Sequence, residues 1–251
     1  MTFTDHLAEL RKRLVVSCAA FLAAGFGCFS FAEKLAEFVM RPAGTLQFVY
    51  LSPPELFVSY VKLALVAGLA LSLPVILFEL WLFVSPALSR RERGSVFLCL
   101  FFGAFFFVAG AAFAYYVILP FTIKFFLSYS NPRVEAVFAI KDYFDFVSGL
   151  VLGFGAAFEL PMAAALLGAF GLLKAELLVR GRSVAVLGIF IAAAILTPPD
   201  VVSQVLLALP MLGLYELSIL ILKVQGRGRA RREALAEASA RADGEGSPEP
   251  V

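Results

Sequence analysis

The sequence predicts an all-α integral membrane protein with six transmembrane helices and both termini in the cytoplasm. Three observations predict it. Of the 251 residues, 61% are hydrophobic and 16% charged, against roughly 25% charged in soluble domains, so a water-soluble domain could not hide the apolar surface. Mean hydropathy is +0.90, and uncharged runs long enough to cross a bilayer recur along the chain. The basic residues are also distributed unevenly: six crossings place 15 of the 21 on the side of the termini and the other six opposite, which the positive-inside rule reads as cytoplasmic termini. Seven spans would spoil that pattern.

The first span, 14–32, follows Arg11, Lys12 and Arg13. A cleaved signal peptide is the competing reading, but the apolar run is too long for one and continues into Glu33 and Lys34. The second span, 57–80, has Lys62 near one end, able to extend its amine to the interface, and Pro74 as a kink site. The third, 95–120, lies in an uncharged, Phe-rich run of 30 residues, 94–123. Such a run is about 45 Å long as one helix and has to tilt or project beyond the bilayer. The fourth, 146–173, is broken by Glu159 with Pro161 behind it. Thr197, Pro198, Pro199 and Asp200 mark a tight turn between the fifth span, 184–197, and the sixth, 201–222. At about 20 Å the fifth is shorter than a hydrocarbon core of about 30 Å, a mismatch that thins the bilayer locally.

Between the first two spans, Glu33, Lys34 and Glu37 among apolar neighbours predict a short helix lying on the outer surface and ended by Pro42. Residues 1–223 therefore form the membrane domain. The tail, 224–251, is Arg-rich and then rich in Ala, Glu, Ser and Pro, and reads as a disordered cytoplasmic segment. Gly149 and Gly153 form a GxxxG pattern suited to close packing within the chain.

Several chemistries are excluded or unsupported. Cys18, Cys28 and Cys99 lie inside apolar runs with no metal-site spacing, so no disulfide and no metal is expected. The lone His6 has no second histidine to complete a catalytic or metal set and reads as a capping or surface residue. No Gly-rich phosphate loop is present, so no nucleotide cofactor is expected, and the basic residues set orientation rather than affinity for nucleic acid.

Glu159 is the main anomaly. A carboxyl near the middle of a span has to face protein, water or a cavity, and it reads either as functional or as a protonated group bonded to a carbonyl freed by Pro161. Glu9 and Glu92 sit among arginines at the cytoplasmic ends of spans. They read as surface ion pairs, Glu9 with Arg13 at i,i+4 and Glu92 with Arg91 and Arg93, or as carboxylates that accept a guanidinium ligand. Thr197 and Gln204 are uncharged polar residues of the kind that bridge helices. Asp200 can cap the sixth helix, and Asp145 and Glu79 lie near span ends, where a charge costs little.

The order of five segments is specific. The chain carries HLAELRKRL (6–14), LSPPELF (51–57), LPVILFELWLFVSPAL (73–88) followed by Glu92-Arg93, FGAAFELP (154–161) and TPPDVVSQVLLALP (197–210). In these it resembles the TatC family, the multi-span receptors of the twin-arginine protein translocase, over about residues 5–223. The resemblance implies a cup-shaped, six-span, non-enzymatic protein of the bacterial cytoplasmic membrane. Such a protein binds the paired arginines of signal peptides on folded cargo and recruits single-span TatA- and TatB-type partners into an oligomeric complex driven by the proton-motive force. Carried onto this sequence, the signal-binding residues are Glu9, Arg11, Arg13, Phe83 and Glu92. Glu159 matches the intramembrane carboxyl, Thr197 and Gln204 match partner-docking positions, and Pro42 and Asp200 match structural positions of the outer side. The competing functions are a proton-coupled small-solute transporter relaying through Glu159, for which no internal repeat is found, and an intramembrane hydrolase, for which no nucleophile and base are assembled.

Overall fold

The computed structural model describes residues 3–44, 46–85, 90–129, 137–197 and 201–245, and within them the side chains of all but 3–5, 90–93, 95, 96, 98, 99 and 229–245. The described chain is helical apart from one minimal sheet. Helix α1 (Phe3–Phe29) contains no proline and ends in a turn, where Ser30 and Phe31 donate to the Gly27 and Cys28 carbonyls. The first uncharged run is therefore divided, because Ala32 already belongs to α2 (Ala32–Met40). Ala32, Ala36 and Val39 are the buried residues of α2, the spacing of one helical face. Its last carbonyls, which lack intrahelical donors, accept hydrogen bonds from two tyrosines: Tyr115 donates to Phe38 and Tyr143 donates to Val39 at 2.8 Å. A 3₁₀ turn, Arg41–Ala43, holds Pro42 directly after the helix.

Helix α3 (Pro53–Val84) explains the LSPPELF segment. Ser52 is its N-cap, Pro53 and Pro54 occupy positions that need no amide donor, and the Glu55 carboxylate turns back to accept the backbone N–H groups of Leu51 and Ser52 at 2.8 and 3.1 Å. The next run forms α4 (Arg90–Phe113), a π-helical turn (Ala114–Ile118) and α5 (Leu119–Leu127). The wide turn stands just before Pro120, whose missing N–H leaves the Tyr116 carbonyl without an α-helical donor.

Two strands that the sequence does not announce, β1 (Gln47–Val49) and β2 (Val137–Ala139), pair in parallel with Phe48 opposite Phe138. They tie together the connections before α3 and before α6 (Ile140–Ala169), the central helix of the molecule. Phe144, Leu150 and Phe154 of α6 are fully buried, together with Leu119 and Leu207. After α7 (Ala175–Arg180) come α8 (Arg182–Leu196) and α9 (Val201–Glu245). Leu196 lies over Gly149 and Gly153, where a Cβ would stand 3.3 and 2.5 Å from its methyl carbons, so the GxxxG pattern seats α8 on α6.

Five described helices are long and apolar enough to cross a membrane. Helix α8 is apolar but only 15 residues long, roughly 22 Å. The tail differs from its expectation of disorder: α9 continues as helix to Glu245. Its Ala-, Arg- and Glu-rich composition favours helix, and extending a helix already nucleated inside the bundle costs far less than starting one.

Candidate functional site

The N-terminal part of α1 and the C-terminal part of α3 build one polar patch. On α1, His6, Glu9 and Arg13 stand at i, i+3 and i+7 and share a face; on α3, Glu79 and Phe83 stand at i and i+4 and share another. Arg13 joins the two helices. Its Nη1 donates to Glu79 Oε2 at 3.0 Å and its Nη2 to Glu9 Oε1 at 3.4 Å. His6 stacks on Phe83, ring centroids 4.4 Å apart and planes 18° apart. With His6 neutral, two carboxylates and one guanidinium leave the patch at net −1.

The i,i+4 pair of Glu9 with Arg13 is present, but the shorter contact goes to Glu79. Glu79, near a span end where a charge costs little, is 8% exposed and tied to α1. His6, read as a capping or surface residue, is half-buried against Phe83. Its helical spacing from Glu9 and Arg13 was the signal that could have found it. Arg11 is exposed on α1 and enters none of the ion pairs among the described residues. Glu92 falls in the first turn of α4, and its side chain lies outside the described residues.

The other candidates lie elsewhere. Glu159 sits on α6 facing Gly103 of α4: a Cβ on Gly103 would be 3.0 Å from Glu159 Oε2 and 3.4 Å from Leu77 of α3. Among the described residues Glu159 Oε1 is buried without a hydrogen-bond partner, and none of them shows the bonded-carbonyl arrangement. Thr197 caps α8 and returns its hydroxyl to the Ala193 carbonyl at 2.8 Å, within its own helix rather than across to another. Gln204 does bridge, its Nε2 donating to the Phe190 carbonyl of α8 at 3.0 Å. Pro42 occupies the turn after α2, and Asp200 lies outside the described residues.

Two further cross-helix pairs join the bundle. Lys62, expected to reach for the interface alone, pairs with Asp145 of α6 at 2.7 Å. Arg182 of α8 pairs with Glu216 of α9 at 2.7 Å. Because Gln204 supplies a single interhelical bond, Gln204→Leu should destabilise the α8–α9 pair by about 0.6–1.7 kcal/mol, measurable as a lower melting temperature in detergent.

A sequence model of the family described as Sec-independent protein translocase protein (TatC) matches residues 5–210. The chain belongs to the TatC family. A TatC from Helicobacter pylori J99 is 44% identical over 220 residues, covering 87% of this chain and 88% of the relative. The chloroplastic TATC of Arabidopsis thaliana is 40% identical over 230 residues, covering 90% of this chain and 68% of its own length. A crystal structure described as twin-arginine translocase receptor TatC superposes with a TM-score of 0.79 at 35% identity, covering 88% of this chain and 99% of that one. Membership of the TatC family makes this chain a multi-pass membrane protein and a non-enzymatic component of twin-arginine protein translocation. It does not favour a proton-coupled solute carrier. A translocase component works with partner proteins, which gives the polar patch and the α8–α9 bridge a context.

Proposed function

We propose that this chain is the receptor and core subunit of a twin-arginine translocase, and that its patch of His6, Glu9, Arg13, Glu79 and Phe83 receives the paired arginines of a signal peptide. The observation that carries the reading is the convergence of two carboxylates on one guanidinium beside an aromatic face, with a negative charge left over. A carboxylate accepts a guanidinium bidentately, and an aromatic ring offers it a stacking surface. Arg13 orients Glu9 and Glu79, while Arg11 beside them supplies charge to the rim. By its match to the family pattern, Glu92 in the first turn of α4 is a further signal-binding residue.

Six crossings, with α8 as a short fifth span, place both termini in the cytoplasm, where the signal peptide arrives. The helices then form a cup, and the shortness of α8 thins the bilayer beside it. Glu159 serves as an intramembrane carboxyl awaiting a polar group from a partner. Thr197 and Gln204 mark where TatA- and TatB-type helices dock against α8 and α9, while Pro42 and Asp200 hold the outer side. Cargo moves through an oligomer of these subunits in the bacterial cytoplasmic membrane, driven by the proton-motive force.

Binding of a labelled signal peptide to the purified protein in detergent tests the reading. Arg-Arg peptide should bind about tenfold or more tightly than Lys-Lys peptide, and Glu9→Gln and Glu92→Gln should each weaken the Arg-Arg peptide by a comparable factor. Equal binding of both peptides by all three proteins would overturn it.

A further inference from the structure

A second feature involves none of the residues of the α1–α3 patch. Where α6 and α9 pass from apolar to charged sequence, a cavity of about 610 Å³ opens between the end of α6, the following turn, the start of α7 and α9, a volume typical of small-ligand sites. Gly171 shapes it. With φ at +73°, a value only glycine adopts freely, it reverses the chain after α6, and Leu172 and Leu173 both donate to the Leu167 carbonyl. The reversal carries Lys174 to the cavity.

On the facing helix, Lys223 and Arg227 also line the cavity and stand at i,i+4, hence on one face of α9. Glu176 is the acidic residue of the lining, so the walls carry net +2. The floor is apolar: Leu173 and the buried Leu222 pack in a small cluster with Ala164.

Arg13, Lys62, Lys141 and Arg182 each have a carboxylate within ion-pair distance. Among the described residues Lys174, Lys223 and Arg227 have none, although like charges at i,i+4 repel each other. Arg11, Lys12, Lys34, Arg41, Lys124 and Arg180 are also without a carboxylate at ion-pair distance among the described residues, but Lys174, Lys223 and Arg227 are gathered around one cavity. Their depth is also informative, since Lys174 and Lys223 are the first charged residues after the apolar stretches of α6 and α9, and Arg227 stands one turn beyond Lys223, the level at which a bilayer places its headgroups. Beside the cavity the chain exposes Leu172 and Val224, 72% and 60% accessible. Cations above an apolar floor at headgroup depth match an amphiphile with an anionic head.

We propose that this cavity is a binding site for the phosphodiester head of an anionic membrane lipid, held by Lys174, Lys223 and Arg227, with its chains against the apolar surface next to it. The site fastens α7 and the base of α9 to the bilayer. It stands apart from signal recognition, since none of its residues belongs to the α1–α3 patch.

Native mass spectrometry of the full chain, exchanged into detergent with equal phosphatidylglycerol and phosphatidylcholine, tests it. Wild type should retain phosphatidylglycerol preferentially. Lys223→Gln with Arg227→Gln should reduce that retention by about 20-fold, and Lys174→Gln on the opposite wall by about fivefold, at the strength expected for each cation facing an anionic lipid. Lys34→Gln with Lys124→Gln, the same change in net charge at the other end of the helices, should retain phosphatidylglycerol as wild type does. Melting temperatures in lipid-free detergent check that each variant folds, and Lys174→Gln carries the test if the double variant does not. Equal retention of the two lipids, or wild-type retention by the cavity variants, would overturn the proposal. Inorganic phosphate alone stabilising the protein as much as phosphatidylglycerol at the same concentration would make the cavity a simple anion site and overturn the assignment to lipid.

Discussion

Gly68→Ala should loosen the contact between α1 and α3 and with it the polar patch, whereas Gly25→Ala at the same crossing should cost much less. An added Cβ on Gly68 would stand 2.5 Å from both the Cα and the N of Gly25 and 3.1 Å from the Ala24 carbonyl carbon. All three are backbone atoms, which no rotamer change can move. The helices would have to separate, and overpacking of this kind costs about 1–3 kcal/mol. A Cβ on Gly25 would meet the Leu65 Cδ2 at 3.1 Å, the end of a flexible side chain, and one on Gly27 would meet nothing within 4 Å. The expected order of melting temperatures in detergent is therefore Gly27→Ala equal to wild type, Gly25→Ala slightly lower and Gly68→Ala clearly lowest. Arg13 and Glu79 lie at the ends of the two helices that this crossing holds together, so Gly68→Ala should also weaken signal-peptide binding without altering any group in the patch. Equal stability of Gly68→Ala and Gly27→Ala would mean that the two backbones do not touch there.

What was legible in the sequence follows from the range of each interaction. Apolar runs and helical spacing are local, so the long helices, the turn at Pro42 and the Glu9–Arg13 pair can be read directly, whereas the Glu55 cap, though local, was not read from LSPPELF. Helix ends inside apolar sequence cannot: nothing in the composition of 14–32 marks the Ser30–Phe31 turn. Strands of three residues carry too little alternation to stand out from loops. The contact that matters most, Arg13 with Glu79, spans 66 residues, and spacing on one helix does not reveal which residue of another will face it. Glu79 was visible only as a charge near a span end, and Glu216 passed unnoticed in the last span because its partner Arg182 sits on a different helix. Glu92 and Asp200 rest on sequence alone, as do the number of crossings and their direction.

Glu79→Gln should weaken Arg-Arg signal-peptide binding by roughly 10- to 100-fold, the effect of losing a charge-assisted hydrogen bond of about 1.5–3 kcal/mol. The side chain keeps its size, but the patch changes from net −1 to neutral and Arg13 retains only the longer contact to Glu9, 3.4 Å away. Discrimination between Arg-Arg and Lys-Lys peptides should narrow, because the bidentate carboxylate that favours a planar guanidinium has become an amide. Glu79 could act in two ways, by contacting the peptide or by holding Arg13, and a double-mutant cycle separates them. If Glu79 contacts the ligand, adding Glu79→Gln to Arg13→Gln should cost a further tenfold or more. If it only positions Arg13, the double variant should bind like Arg13→Gln alone. Raising salt should weaken wild type more than Glu79→Gln, since screening acts on a net charge that the variant lacks. Binding by Glu79→Gln equal to wild type would remove Glu79 from the recognition surface and leave its pair with Arg13 as a fastening between α1 and α3.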